Sequence, residues 1–268
     1  MKFLRILIGT SLLYAVACWG QAGAGAPATT TQAINAQNEN NLCRIFFSTP
    51  KAGQAQQFEA ARKRHNDFHR GQNDTWAWQT FLVETGDNAG RYVTSTCGHA
   101  WKDFDAWEAK MGKADAADAA AGMGALTQSG SNGFYLSRAD MSLAPMSATP
   151  APRVAVTIYT LKPGAATDFI ATVKKINDAL SKQPDWPKTS SWLQLMNGGE
   201  APTFVLLNAR QNFAGFEPLP KTVRDVLVET YGEETANQML KTLGDSTARL
   251  WTEEALYRPD LSYVPAGK

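Results

Sequence analysis

The chain has 268 residues, with 26 Lys and Arg against 25 Asp and Glu, so it exceeds a usual single domain of about 100 to 150 residues and is close to neutral. No basic patch or stripe is present, which argues against nucleic acid as a partner. The sequence also has no Ser nucleophile elbow, P-loop, dinucleotide fingerprint or Cys-x-x-Cys, which removes the usual signatures of hydrolase, nucleotide-dependent and thiol-redox chemistry.

Residues 1–26 read as a signal peptide. Lys2 and Arg5 precede an apolar run from Ile6 to Ala17, and Ala22-Gly23-Ala24-Gly25-Ala26 offers small-residue cleavage sites. The run is too short for a comfortable membrane span of about 20 residues, so no stable span is expected. Ala15-Val16-Ala17-Cys18 supplies a lesser alternative, a lipid anchor through Cys18. The expected location is periplasmic or secreted. Loss of the leader would leave two cysteines, Cys43 and Cys97, in an oxidising compartment, where a disulfide is the natural expectation and two separate buried thiols the alternative. Residues 27–41 are rich in Ala, Thr, Gln and Asn with no apolar period, and read as a flexible leader.

The remainder falls into two similar units, residues 42–145 and 153–268, joined by a Pro- and Ser-containing linker at 146–152. Gly53 and Phe58 recur as Gly164 and Phe169 at a constant offset, which also pairs Lys63 with Lys174, Asn66 with Asn177 and Asp67 with Asp178. Farther along, Trp78 aligns with Trp192, Trp107-Glu108 with Phe216-Glu217, and Arg138-x-Asp140 with Arg258-x-Asp260. Each unit begins with a short apolar strand (44–48; 154–161) and a Gly turn into an amphipathic helix (54–70; 165–181). A Trp-containing strand (76–84; 191–196), a Gly/Asn turn and a third strand (91–97; 203–208) follow. A second helical region and a last strand close the βαββαβ order, the split βαβ or ferredoxin-like motif.

With that element order, the Lys-x-Gly-x4-Phe opening of the first helix and the closing aromatic-Glu pair, the chain resembles the dimeric α+β barrel superfamily, which includes the antibiotic-biosynthesis-monooxygenase-like and NIPSNAP-like domains. The resemblance implies an α+β fold in which two tandem ferredoxin-like units pack as an internal pseudo-dimeric barrel, so the protein could be a monomer or a homodimer. Strand 1 would lie antiparallel to strand 3, bringing Cys43 to Cys97. Members of the superfamily include cofactor-free oxygenases, haem-degrading enzymes, isomerases and proteins of unknown role, so the fold alone does not choose among them.

Comparison of the two copies points to one candidate site. The second unit's first helix carries Phe169, Val173, Ile176 and Leu180 on its sheet-facing stripe, whereas the first unit carries Phe58, Arg62, His65 and His69. Buried cationic or imidazole groups cost several kcal/mol unless they are paired, which points to a polar cleft between helix and sheet. Arg62, His65, His69 and His99 are therefore expected to bind a ligand, with Trp76 and Trp101, which have no counterparts in the second unit, as walls. Trp78/Trp192 and Trp107/Phe216 are expected in the core, and the recurring Arg-x-Asp pairs as structural ion pairs. The i, i+4 spacing of His65 and His69 suits a metal, but no Glu lies between them and Asp67 faces elsewhere, so no metal is assigned and no cofactor is identified. The readings left open are a small-molecule-binding protein, with haem or another small ligand as occupant; a cofactor-free oxygenase or isomerase using His65 or His69 as general base; and a structural module without a site.

Overall fold

The computed structural model describes residues 40–147 and 149–265. The signal-peptide and leader expectations for residues 1–39, including the Cys18 alternative, lie outside the described residues. Among the described residues no helix is long and apolar enough to cross a membrane.

Among the described residues there are eight strands and six α-helices. In chain order they are β1 (Leu42–Pro50), α1 (Ala55–Gly71), β2 (Gln79–Val83), β3 (Tyr92–His99), α2 (Trp101–Trp107), α3 (Lys113–Gly122) and β4 (Thr127–Ser137), then β5 (Arg153–Leu161), α4 (Ala166–Ser181), β6 (Ser190–Asn197), β7 (Thr203–Arg210), α5 (Val223–Tyr231), α6 (Glu233–Ser246) and β8 (Thr247–Tyr257). The strands close into one barrel in the order β1-β3-β2-β8-β5-β7-β6-β4, with β4 pairing back to β1. The result is an α+β fold in which β4-β1-β3-β2 and β8-β5-β7-β6 follow the same order. The seams between the two halves are β2 with β8 and β4 with β6. Closure removes the sheet edges that two open sheets would expose.

Strand periodicity sets the two faces of the wall. On β5, Val154, Val156 and Ile158 point into the barrel, while the intervening Tyr159 points outward against Phe169 of α4, with ring centroids 5.4 Å apart. Phe169 also meets Trp192 at 5.8 Å and Phe204 at 5.2 Å, and α4 buries Phe169, Val173, Ile176 and Leu180 as a continuous stripe. On the first half, α1 buries Phe58, Arg62, His65 and His69 at the matching positions. Gly53 and Gly164, at φ +75° and +82°, make the left-handed turns that lead from strand into helix in each half.

Cys43 lies opposite Cys97 in the β1–β3 register, and the two form a disulfide with their Cα atoms 4.0 Å apart. Arg138 forks onto Asp140 and Arg258 onto Asp260, each pair directly after the last strand of its half.

The structure corrects the sequence reading in two places. Phe216 does not share the core role of Trp107. Trp107 is buried against Trp76 and Trp78, whereas Phe216 sits on a short 3-10 turn and is 39% exposed. The second strand of the first half also starts at Gln79, not at Trp76. Trp78 keeps only an isolated bridge to Tyr263, because the backbone around Asp74 and Trp76 is engaged in the polar cluster described next.

Candidate functional site

Two features have the character of sites, one on each side of the barrel wall. The outer one is built on α1. His65 and His69 are one turn apart and 5% and 1% exposed, and their Nε2 atoms are 3.2 Å from each other. Each ring is fixed from behind by a carboxylate: His65 Nδ1 donates to Asp118 Oδ2 at 2.7 Å, and His69 Nδ1 donates to Asp74 Oδ2 at 2.9 Å. Asp74 is itself held by Trp78 Nε1 at 2.9 Å and by the Trp76 amide at 3.0 Å. Burial alone would raise the Asp74 carboxyl, but hydrogen bonds from His69, Trp78 and Trp76 outweigh it and hold it below its usual value. Tyr263 stacks on His69 at 5.6 Å and donates its hydroxyl to the Asp74 carbonyl at 2.7 Å.

Asp115 completes the cluster. Its Oδ1 lies 3.3 Å from His65 Nε2 and 3.4 Å from His69 Nε2. Asp115 and Asp118 belong to α3, which follows α2 through a π-helical turn at Glu108–Gly112. Phe104, Trp107, Met111, Asp115 and Asp118 recur at intervals of three and four, so a single stripe passes from aromatic packing to carboxylates. Arg62, one turn before His65, is buried. Its Nε donates to the Leu261 carbonyl at 3.2 Å, and its Nη2 has no hydrogen-bond partner. Burial pushes the guanidinium down to about 10, opposed by the Asp115 charge.

His65 and His69 thus meet directly, and Arg62 shares their buried face of α1, related to them through the charge of Asp115. His99 and Trp76 form an adjoining group: the His99 ring stacks on Trp76 at 3.8 Å, and its Nε2 is 2.6 Å from Thr96 Oγ1. The link from this group to His69 runs through Trp78, 6.2 Å from Trp76 and 5.4 Å from His69. Trp101 reaches the His99–Trp76 group only through Phe104, 6.4 Å away. It is 51% exposed at the start of α2, against Phe134.

Sequence reasoning missed Asp74, Asp115 and Asp118. The signal was available for two of them, since Asp115 and Asp118 continue the apolar stripe of the second helical region just as His65 and His69 do that of the first.

The inner feature is the barrel chamber, about 400 Å³ in volume. Its wall is mainly aliphatic and aromatic, with Ile45, Phe81, Val156, Ile158, Leu193 and Trp251 among the lining side chains, and Gln79, Ser95 and Ser191 as polar points. Val93, Val156, Ile158 and Val205 are only partly buried although they point inward, so the chamber is not filled by its own side chains. Charged residues gather where β2 meets β3 and β8 begins. Arg249 pairs with Glu200 and Asn88 with Glu253, and Arg91 joins them in the lining. Met146, Ser147, Pro150 and Ala151 of the segment joining the halves lie at the Cys97 end.

No protein-family profile matches the sequence, and no curated protein matches it. Solved structures do match its shape. An anthrone oxidase-like protein superposes with a TM-score of 0.53 at 9% identity, covering 85% of this chain and 94% of its own. A candidate monooxygenase from Lactobacillus acidophilus NCFM gives 0.51 at 9% identity, over 85% and 97% of the two chains. Another, from Fusobacterium nucleatum subsp. nucleatum, gives 0.52 at 9% identity, over 82% and 94%. At such identities the likeness is one of fold alone, an α+β barrel.

Proposed function

We propose that this dimeric α+β barrel chain is an exported small-molecule-binding protein that holds one apolar, ring-sized ligand inside its barrel. The observation that carries the reading is the chamber. An eight-stranded barrel is just wide enough either to be filled by its own side chains or to enclose one small ligand. A volume of about 400 Å³, walled by partly buried aliphatic residues, fits the second case and lies within the size range of small-molecule pockets. Gln79, Ser95 and Ser191, with Thr160 and Thr203, are among the polar side chains that could orient a ligand.

Export is supported by the basic-apolar-small pattern of residues 1–26 together with the Cys43–Cys97 disulfide, a bond that persists in oxidising compartments. Tandem duplication is supported by the common strand order of residues 42–145 and 153–268, and by the matching Arg-x-Asp clamps.

The test is a titration with a neutral fluorescent naphthylamine, run on the purified protein and on Val156→Trp, which places an indole in the chamber. Saturable one-to-one binding that Val156→Trp abolishes is expected. Equal binding by both proteins, or none by the wild type, contradicts the reading.

A second reading, oxidation of the bound molecule, is favoured by the oxidase and monooxygenase descriptions of the structural neighbours. It uses the same chamber and differs in turnover. Oxygen uptake on addition of an anthrone, lost in Val156→Trp, would support it, and binding without uptake would favour the binding protein.

A further inference from the structure

We propose that His65, His69 and Asp115 form a binding site for one divalent transition-metal ion of the zinc type on the outer face of the barrel. The first argument is distance. A four-coordinate zinc with ligands at about 2.0–2.1 Å requires ligand atoms about 3.3–3.4 Å apart. The two Nε2 atoms and Asp115 Oδ1 stand 3.2, 3.3 and 3.4 Å from one another, the edges of one face of such a tetrahedron.

The second argument is hydrogen-bond chemistry. A carboxylate only accepts, so the contacts to Asp118 and Asp74 place a proton on Nδ1 of each ring. In the neutral rings both Nε2 atoms then present lone pairs, and these meet each other and a carboxylate oxygen. Three acceptors with no donor between them repel unless a cation sits among them. A single extra proton could bridge the two rings, but it would leave Asp115 Oδ1, a buried oxygen with no hydrogen-bond partner, unsatisfied. A metal ion satisfies all three.

The third argument is charge and support. Three carboxylates, Asp74, Asp115 and Asp118, contact the two rings, and the Arg62 charge acts on Asp115, so the cluster carries a net negative charge that favours a divalent cation. Both rings already have the carboxylate behind Nδ1 that orients metal-ligating histidines. Two nitrogens and one oxygen suit zinc and its first-row neighbours better than calcium or magnesium, which prefer oxygen. Three protein ligands leave a fourth position for water or an exchangeable anion, the arrangement of reactive rather than purely structural zinc sites. The site does not depend on a ligand in the barrel chamber, from which the wall separates it.

The experiment is a Zn²⁺ titration by calorimetry, with Co²⁺ as an optical probe, on the purified metal-stripped protein. One ion per chain is expected, with the visible bands of four-coordinate Co²⁺. Asp115→Ala, set in an alanine-rich exposed helix that tolerates it, should weaken binding by at least 100-fold, and His65→Ala should do the same. Asp118→Asn, which leaves the three ligands in place, should weaken it by about 10- to 100-fold. Asp67→Asn, an exposed acid of α1, should change nothing. Circular dichroism checks each variant for folding. If His65→Ala does not fold, Asp115→Ala and the Co²⁺ spectrum decide. Absence of stoichiometric binding, or affinity unchanged in Asp115→Ala, overturns the proposal.

Discussion

Replacing Cys43 and Cys97 together by alanine removes a crosslink between residues 54 apart in sequence. In the folded protein the two lie opposite each other on hydrogen-bonded strands, so the native barrel loses little conformational restraint when the bond is absent. The effect falls on the unfolded chain. Closing a loop of about 54 residues costs it roughly 14 cal/mol/K of entropy, which corresponds to about 4 kcal/mol at 25 °C. For a domain of this size that is on the order of 10 °C in Tm. Equilibrium urea unfolding of the oxidised, reduced and double-alanine proteins measures it. The midpoint should fall in the last two, and the denaturant slope should rise as the freed unfolded chain exposes more surface. A difference below about 1 kcal/mol between oxidised and reduced protein would refute the reasoning, because the unfolded chain would then be unconstrained by the bond.

Other outcomes follow from the ion pairs and turns. Arg258 holds Asp260 down to about 2 and also lowers Glu59, so both carboxylates are ionised more readily in the folded chain than in the unfolded one. Stability from this clamp is present above the ordinary carboxylate range and is lost as pH falls from about 4 towards 2. Arg258→Met should therefore flatten the acid limb of a thermal-melt pH profile while leaving its neutral-to-basic limb parallel to wild type. An unchanged acid limb would contradict the assignment. Gly198→Ala should be far more damaging than Gly53→Ala in the same melt. A Cβ at Gly198 would stand 2.4 Å from the Asn132 carbonyl oxygen at φ +98°, whereas Gly53, at φ +75°, has open space and carries only the left-handed conformational cost of about 1–2 kcal/mol.

Much of the fold was legible because the two halves check each other. The Gly53/Gly164 turns, the Phe58/Phe169 anchors and the alternating strands located six of the eight strands of the barrel wall to within a few residues, and the last strand of each half only by the Arg-x-Asp that follows it. Strand order placed Cys43 beside Cys97. The second helical regions were less legible. Residues 101–122 form a nearly continuous helix through a π turn, whereas the second half spends a 3-10 turn and a Pro-containing segment before α5 and α6, and alignment by Phe216 could not register that difference. The polar face of α1 was legible from the substitution of Arg and His for Val, Ile and Leu. Of its partners, Asp115 and Asp118 stand on a readable stripe, but their meeting with His65 is a tertiary contact of α3 with α1, and Asp74 lies in an irregular segment with no periodicity to read. The chamber was hidden for another reason: inward-facing Val and Ile look the same in sequence whether they fill a barrel or line an empty one.

The central claim is that an apolar ligand lies inside the barrel, and a crystal soaked in 1-bromonaphthalene tests it by the anomalous signal of bromine. One bromine site is expected among Val156, Ile158, Leu193 and Trp251. A bromine site between α1 and the sheet, beside His65 and Trp76, would contradict it, as would crystals that show bromine only on the outer surface.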